Sequence, residues 1–280
     1  MLKKDDQRYD QPRTSPDGRY LVVRIGGAAF NTGDLWIRDL ASGSLTRLTR
    51  GDNSFRPSWS RDGKRIFYLT GTPSTSTIRS RPWDGSGTDS VVLSRPEIAE
   101  FAEGPPGKWS VLRTYVMRDI QLVPTDSIAT ATPHPFITTP TNETDIALSP
   151  SGDLLAYQSD ETGRDEVYVR PVPGPGPRVP VSVSGGTNPV WSRDGKALYF
   201  RSETRVMAAS IVEQPSLAVT RRDSLFEANL VSDGTNLAVL PDGRFVVAIG
   251  GASFTASAYR IAVLSNWQSL FSRSSSPVAR

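Results

Sequence analysis

The sequence predicts an all-β chain folded as a six-bladed β-propeller of four-stranded antiparallel blades. Three observations predict it. A Ser-x-Asp-Gly turn flanked by two apolar runs recurs along the chain. Its glycines fall at a near-constant interval. Six such intervals fill almost all of the 280 residues. A period in the forties with several strands per unit is the mark of a propeller.

The clearest copy runs from Asn188 to Phe200: an apolar run enters, Arg193-Asp194-Gly195 turns the chain, and a second apolar run leaves. Asp suits such a turn because its carboxylate accepts from nearby backbone N–H groups, and Gly supplies the positive φ. The other copies are Ser15–Val23, Trp59–Tyr68, Leu148–Tyr157 (with Ser151 for Asp) and Leu240–Val247. Pro105–Leu112 is a degenerate copy midway through a double gap. The turn glycines are then 18, 63, 107, 152, 195 and 243, with spacings of 45, 44, 45, 43 and 48.

In unit one the strands are expected near residues 12–16, 19–25, 34–40 and 44–49. Asp34–Leu40 alternates polar and apolar as a half-buried strand should. Leu2-Lys3 falls where other units carry a terminal Leu-Thr such as Leu45-Thr46, so the chain is read as beginning inside a unit, at its outermost strand. Unit two repeats the pattern with a loop at Gly71–Thr77 and a turn at Asp84–Gly87. Unit three, residues 101–137, is the weakest. Its third strand is placed at Asp119–Pro124, and Pro133-His134-Pro135 reads as a stiff surface connection. In unit four, the Pro/Gly run from Pro171 to Pro177 reads as an outer-strand connection, because the glycine period continues on both sides. Unit five contains the Asn188–Phe200 hairpin and Arg205–Ser210. Unit six has strands near 236–240, 244–249 and 258–265 and stops at Asn266-Trp267 without a fourth. Pairing of Met1–Lys4 with its third strand is expected to close the ring, since an open seam leaves an unpaired edge. Residues 1–271 form one domain and 272–280 a Ser-rich disordered tail.

Composition agrees. Apolar residues make up 37% and there are 23 glycines, a globular balance. Cysteine is absent, which excludes a disulfide framework and thiolate metal sites. Met1–Asp6 lacks an apolar h-region and does not read as a signal peptide. No run reaches membrane-spanning length, so no membrane insertion is expected. The net charge of +3 comes from arginines scattered among acids, which reads as a solvated surface rather than a nucleic-acid interface. No metal or cofactor signature is present. His134 is the only histidine and no cluster of partners can be read around it; triad-type chemistry needs both a base and an activated nucleophile. No catalytic, metal or cofactor-binding residue is assigned.

One candidate binding feature emerges from the repeat. Seven residues before each turn glycine stand Gln11, Arg56, Glu100, Asp145, Asn188 and Asn236, all polar or charged. Six before stand Pro12, Pro57, Phe101, Ile146, Pro189 and Leu237, all apolar. Five before stand Ser58, Ala102, Ala147, Val190 and Ala238, mostly small, with Arg13 the exception. Strand alternation places the apolar set between blades and the polar set where the inner strands begin, as a ring at one mouth of the channel. Two readings stand: six solvated strand ends, or a ligand-contacting ring.

The repeats resemble the WD40-like PD40 units of TolB-type propellers over essentially the whole chain. Glu166–Pro171, Gly185–Ser192 and Leu264–Trp267 are similar to segments in the C-terminal propeller of bacterial serine/threonine kinases of the eukaryotic type. That resemblance implies a sensor or interaction module outside the cytoplasm, with no catalytic residue in the propeller. No Gly-rich loop, His-Arg-Asp or Asp-Phe-Gly kinase sequence is present. The expected function is a non-catalytic, monomeric propeller that binds an unidentified protein or small molecule. The alternative is an enzyme: a hydrolase on the propeller, or the propeller part of a dipeptidyl-peptidase-type serine hydrolase whose catalytic domain is absent.

Overall fold

The structure is a computed structural model and describes residues 8–26, 33–51, 53–228, 230, 236–250 and 260–264. Blade 1 comprises β1 (Arg8–Thr14), β2 (Tyr20–Gly26), β3 (Asp34–Asp39) and β4 (Leu45–Arg47). Blade 2 comprises β5 (Phe55–Trp59), β6 (Arg65–Thr70), β7 (Thr77–Pro82) and β8 (Ser90–Ser94). Blade 3, the degenerate repeat, comprises β9 (Ile98–Ala102), β10 (Trp109–Thr114), β11 (Ile120–Pro124) and β12 (His134–Ile137). Blade 4 holds β13 (Glu143–Leu148), β14 (Leu154–Ser159), β15 (Glu166–Pro171) and β16 (Val179–Pro180). Blade 5 holds β17 (Thr187–Trp191), β18 (Ala197–Ser202), β19 (Arg205–Val212) and β20 (Ala218–Glu227). Blade 6 shows three strands among the described residues, β21 (Leu237–Val239), β22 (Phe245–Ile249) and β23 (Arg260–Leu264). Every sheet is an antiparallel meander in chain order. The inner strands pack against one another in sequence, and β21 meets β1. A single 3-10 turn at Thr125–Ser127 is the only helical element among the described residues.

The turns form for the reason the motif suggests. Ser15 Oγ donates to Asp17 Oδ1 at 2.6 Å, the Arg19 N–H donates to the same oxygen at 3.0 Å, and the Tyr20 N–H donates to Ser15 Oγ at 2.9 Å. Blades 2 and 5 repeat this with Ser60/Asp62 and Ser192/Asp194. In all three the serine hydroxyl is the main influence holding the Asp carboxyl below its ordinary pKa. At the tip Gly18 takes φ +73, a conformation costly to residues with a Cβ.

Each blade buries both faces, so its central strands read as near-continuous apolar runs. β6 shows how the period of two distributes them. Ile66 and Tyr68 join the cluster between blades 1 and 2. Phe67 and Leu69, on the other face, join the cluster between blades 2 and 3. Every interface has such a cluster, including blades 6 and 1, where Leu21 packs with Ala238, Leu240 and Val246. Two tryptophans of the repeat fasten a blade to its predecessor. Trp59 Nε1 donates to Arg13 O at 3.0 Å, and Trp191 Nε1 donates to Ala147 O at 2.9 Å. Trp191→Phe keeps most of the ring but leaves that carbonyl without its partner, so chemical denaturation should show a loss of about 1–3 kcal/mol.

Three sequence expectations are corrected. The inner strand of blade 1 begins at Arg8, not near residue 12. Its polar start pairs with β2, Tyr9 packs with Val23 and Ile25, and Asp10 accepts from buried Arg24 at 2.7 and 2.6 Å. Charges that read as solvated are therefore paired inside. His134 and Pro135 belong to strand β12 rather than to a connection. An outermost strand tolerates proline because one edge need not donate. The third correction concerns burial of the polar ring, described below. The proposed pairing of Met1–Lys4, Trp267 and the 272–280 tail lie outside the described residues.

Candidate functional site: a polar ring below a central cavity

The six residues picked out by the repeat come together, linked blade to blade. The Gln11 N–H donates to Asn236 Oδ1 at 3.3 Å, joining blades 1 and 6. The Arg56 N–H donates to Gln11 Oε1 at 2.6 Å. Arg56 Nη2 lies 3.7 Å from Glu100 Oε1. The N–H groups of Asp145 and Ile146 donate to the Glu100 carboxylate at 3.1 and 3.0 Å. Asn188 Nδ2 donates to Asp145 Oδ2 at 2.6 Å, and the Asn236 N–H donates to Asn188 Oδ1 at 3.4 Å. The circuit is closed, and Arg56 Nη1 adds a chord to Asp145 Oδ1 at 3.0 Å.

The local backbone explains why these side chains point inward. Gln11, Arg56, Asp145 and Asn188 all take φ between 51 and 54. Each sits where the inner strand slips register against its neighbour. A bulge with a left-handed residue re-aims its side chain. For non-glycine residues this conformation costs of order 1–3 kcal/mol, and it persists where surrounding contacts over-determine it. Here the polar circuit does so. The reading as solvated strand ends is corrected on this ground: five of the six are buried, from 0% exposure at Asn236 to 7% at Asp145, and Arg56 is half-buried. Buried polar groups must find partners, and these find one another.

Electrostatics centre on Glu100. Burial opposes its ionisation, yet Arg56, Arg113 and the two backbone donors outweigh burial and hold its carboxyl below the ordinary value. Arg113 Nε donates to it at 2.6 Å. For Arg56, burial opposes the charge, but Glu100 and Asp145 prevail and raise its pKa.

Above the ring lies a cavity of about 440 Å³ lined by all six inner strands. Its walls include the whole column five before the glycines: Ser58, Ala102, Ala147, Val190, Ala238 and the long exception, Arg13. Arg56 and Glu100 contribute from the ring. At the rim, the Arg61 N–H donates to Glu103 Oε2 at 3.0 Å, while its guanidinium reaches Pro150 O at 2.6 Å and Ser149 O at 3.1 Å in blade 4. Below the ring a second, polar basin of about 400 Å³ is lined by Asp145, Asn188, Asp165, Arg201 and Glu203 among others. Arg56 lines both spaces; Gln11 and Asn236 line neither. Glu103, Arg61 and Arg113 escaped the sequence reading because their importance depends on neighbours in other blades or strands. Arg13 alone left a signal, as the one large residue in a small-residue column.

Among the described residues, no group of three His, Cys, Asp or Glu side chains is arranged to hold a metal ion. His134 is exposed on outer strand β12, with its ring edge-on to Trp109 at 5.7 Å.

No protein-family model matches the chain, and no curated protein does. Solved structures do. TolB from Acinetobacter baumannii superposes with a TM-score of 0.65 at 16% identity, over 92% of this chain and 61% of that one. Putative TolB from Agrobacterium tumefaciens gives 0.64 at 18% identity, over 92% and 91% of the two chains. An oligogalacturonate lyase from Vibrio parahaemolyticus gives 0.60 at 10% identity, over 93% and 92%. The chain thus has a TolB-like propeller fold and spans less than two thirds of the first of these structures. At such identities the likeness is one of fold, and the neighbours include both TolB and an enzyme.

Proposed function

We propose that the chain is a non-catalytic binding propeller whose binding surface is the central cavity. The observation that carries this is the division of labour around the axis. The polar residues of the ring are spent on one another, while the small column above leaves a cavity of about 440 Å³, within the ordinary range for ligand sites of about 300–1,000 Å³. Three of the four serines that line the cavity serve the fold: Ser15, Ser60 and Ser192 hydrogen-bond their turn aspartates, while Ser58 belongs to the small column. The two carboxylates of the lining are engaged by arginines, Glu100 by Arg113 and Glu103 by the backbone N–H of Arg61. The resemblance to kinase-associated propellers supports a sensor or interaction module working outside the cytoplasm, taking a protein or small-molecule ligand.

The competing reading is an enzyme built on the same propeller, and the oligogalacturonate lyase neighbour makes lyase chemistry part of the test. Purified chain incubated with generic esters, peptides and oligogalacturonate, with and without divalent metal, should show no turnover above a buffer control. Turnover that disappears on treatment with a serine-directed reagent, or that requires the metal, would replace binding by catalysis.

A further inference from the structure

The rim of the cavity repeats a position of its own. Two residues before each turn glycine stand Pro16, Arg61, Pro105, Pro150, Arg193 and Pro241. Each proline lays its ring against the turn glycine of the next blade: Pro16 on Gly63, Pro105 on Gly152, Pro150 on Gly195 and Pro241 on Gly18. The two exceptions are both arginines. They come from blades 2 and 5, three blades apart in a ring of six, and so stand opposite each other across the axis. The glycines that follow them, Gly107 and Gly243, have nothing within 4 Å of where a Cβ would stand. Both arginines line the cavity.

The two are held differently. Arg61 is fastened along the rim. Its backbone N–H donates to Glu103 Oε2 at 3.0 Å and its Nε to Glu103 O at 3.2 Å, while Nη1 and Nη2 donate to Pro150 O and Ser149 O. The counterpart of Glu103 in blade 6, also four residues before its turn glycine, is Val239. Val239 has no carboxylate, and its carbonyl already accepts from Thr14 Oγ1 at 2.8 Å. Arg193 therefore lacks the acceptors that hold Arg61. It is exposed, and among the described residues no hydrogen bond or ion pair engages it. The carboxylate beside it in the chain, Asp194, is turned to Ser192 Oγ and the Lys196 N–H. This guanidinium stands at the mouth of a cavity whose walls include Phe101, Trp59, Trp191 and Ile146. Its planar fork of N–H donors matches the oxygens of a carboxylate or a phosphate with two parallel hydrogen bonds.

We propose that Arg193 is the anion-receiving residue of the cavity: it binds the oxyanion of a small ligand at the mouth, while the ligand's compact apolar body fills the space below. This rests on the reading of the cavity as the binding surface and names the ligand class, a small apolar molecule bearing one acid group. Arg61, on the opposite side and held by acceptors in blades 3 and 4, shapes the rim and does not take the acid.

Titration calorimetry tests this with benzoate, phenyl phosphate, neutral benzamide, and acetate and inorganic phosphate as the same acids without the ring. Benzoate, phenyl phosphate or both should bind at least about tenfold more tightly than benzamide, roughly the effect of one charge-assisted contact. Whichever binds names the acid, and its ringless counterpart should bind at least about tenfold more weakly. Arg193→Pro installs the residue of the four sister turns. The Gly195 N–H donates to Ser192 O, so residue 193 holds the second position of a turn, where proline is favoured, and the fold should be kept. Acid affinity should fall about tenfold or more in Arg193→Pro and in Arg193→Gln, and Arg193→Lys should retain part of it. Ser58→Phe, which keeps the arginine but fills the cavity, should weaken binding as much. Benzamide binding as tightly as both acids, the ringless acid binding as tightly as its parent, Arg193→Pro or Arg193→Gln binding the acid unchanged, or no acid binding at all would each overturn the proposal. Acid binding that survives Arg193→Pro but not Ser58→Phe would keep the cavity as the binding surface and remove Arg193 from it. None of these results bears on turnover, which decides separately between a binding module and an enzyme.

Discussion

Glu100→Ala is expected to cost about 3–5 kcal/mol, the usual penalty for removing one partner of a buried ion pair. The replacement strands more than a single charge. Arg113 loses its contact at 2.6 Å, Arg56 loses one of two carboxylates, and the N–H groups of Asp145 and Ile146 lose their acceptor. Blades 2, 3 and 4 meet at this carboxylate. The chain should melt at a lower temperature, with the loss read from urea titration. Glu100→Gln keeps the shape and an acceptor for the backbone, so it should fall between the two. The pH dependence has a definite sign. The Glu100 pKa is depressed on folding, so its contribution is complete above the unfolded value of about 4.3 and is lost as pH falls through the folded value. The parent should therefore lose stability in acid more steeply than Glu100→Gln. Parallel acid limbs for the two proteins would show that the carboxylate is not ionised within the fold.

Gly18→Ala is the second large effect, and Gly243→Ala is its control. The two glycines hold equivalent turn positions with φ +73 and +83, so both alanines incur the same backbone strain, about 1–2 kcal/mol. Their surroundings differ. A Cβ on Gly18 would stand 2.6 Å from Cδ of Pro241, whereas nothing lies within 4 Å of one on Gly243. The proline ring cannot swing aside, so Gly18→Ala should cost a further ~1–3 kcal/mol of overpacking. Pro241 belongs to blade 6 and Gly18 to blade 1, so the clash falls at the seam that closes the propeller. The seam is otherwise held by Gln11 on Asn236, by Thr14 Oγ1 donating to Val239 O at 2.8 Å, and by Leu21 against Leu240. Equal melting temperatures for the two variants would show that the seam gives way freely.

Blade number, blade order and turn positions were legible in the sequence because they rest on local chemistry. The Ser-x-Asp-Gly turn is satisfied within five residues, from Ser15 to Tyr20 or from Ser192 to Ala197, and repetition amplifies a signal that one copy would leave weak. Even blade 3, with Pro105-Pro106-Gly107 in place of the motif, was found by its distance from Gly63 and Gly152. The boundary errors came where partners were remote. Arg8 and Asp10 look solvated until Asp10 is seen to pair with both Arg8 and the buried Arg24, and His134 looks like part of a loop until Leu122 supplies its strand partner.

The candidate site divides in the same way. The sequence by itself determined that six polar residues share one register position and that Arg13 breaks a column of small ones, since both follow from counting back from a glycine. Only the tertiary structure decided what those residues do. Gln11 and Asn236 are 225 residues apart and hydrogen-bonded, and Arg56 reaches Asp145 across 89 residues of chain. Side-chain direction at Gln11, Arg56, Asp145 and Asn188 depends on a left-handed bulge, and burial depends on the neighbouring blade. Both arise when the ring closes, because closure brings residues one period apart into contact and leaves each polar group the next blade's partner in place of water.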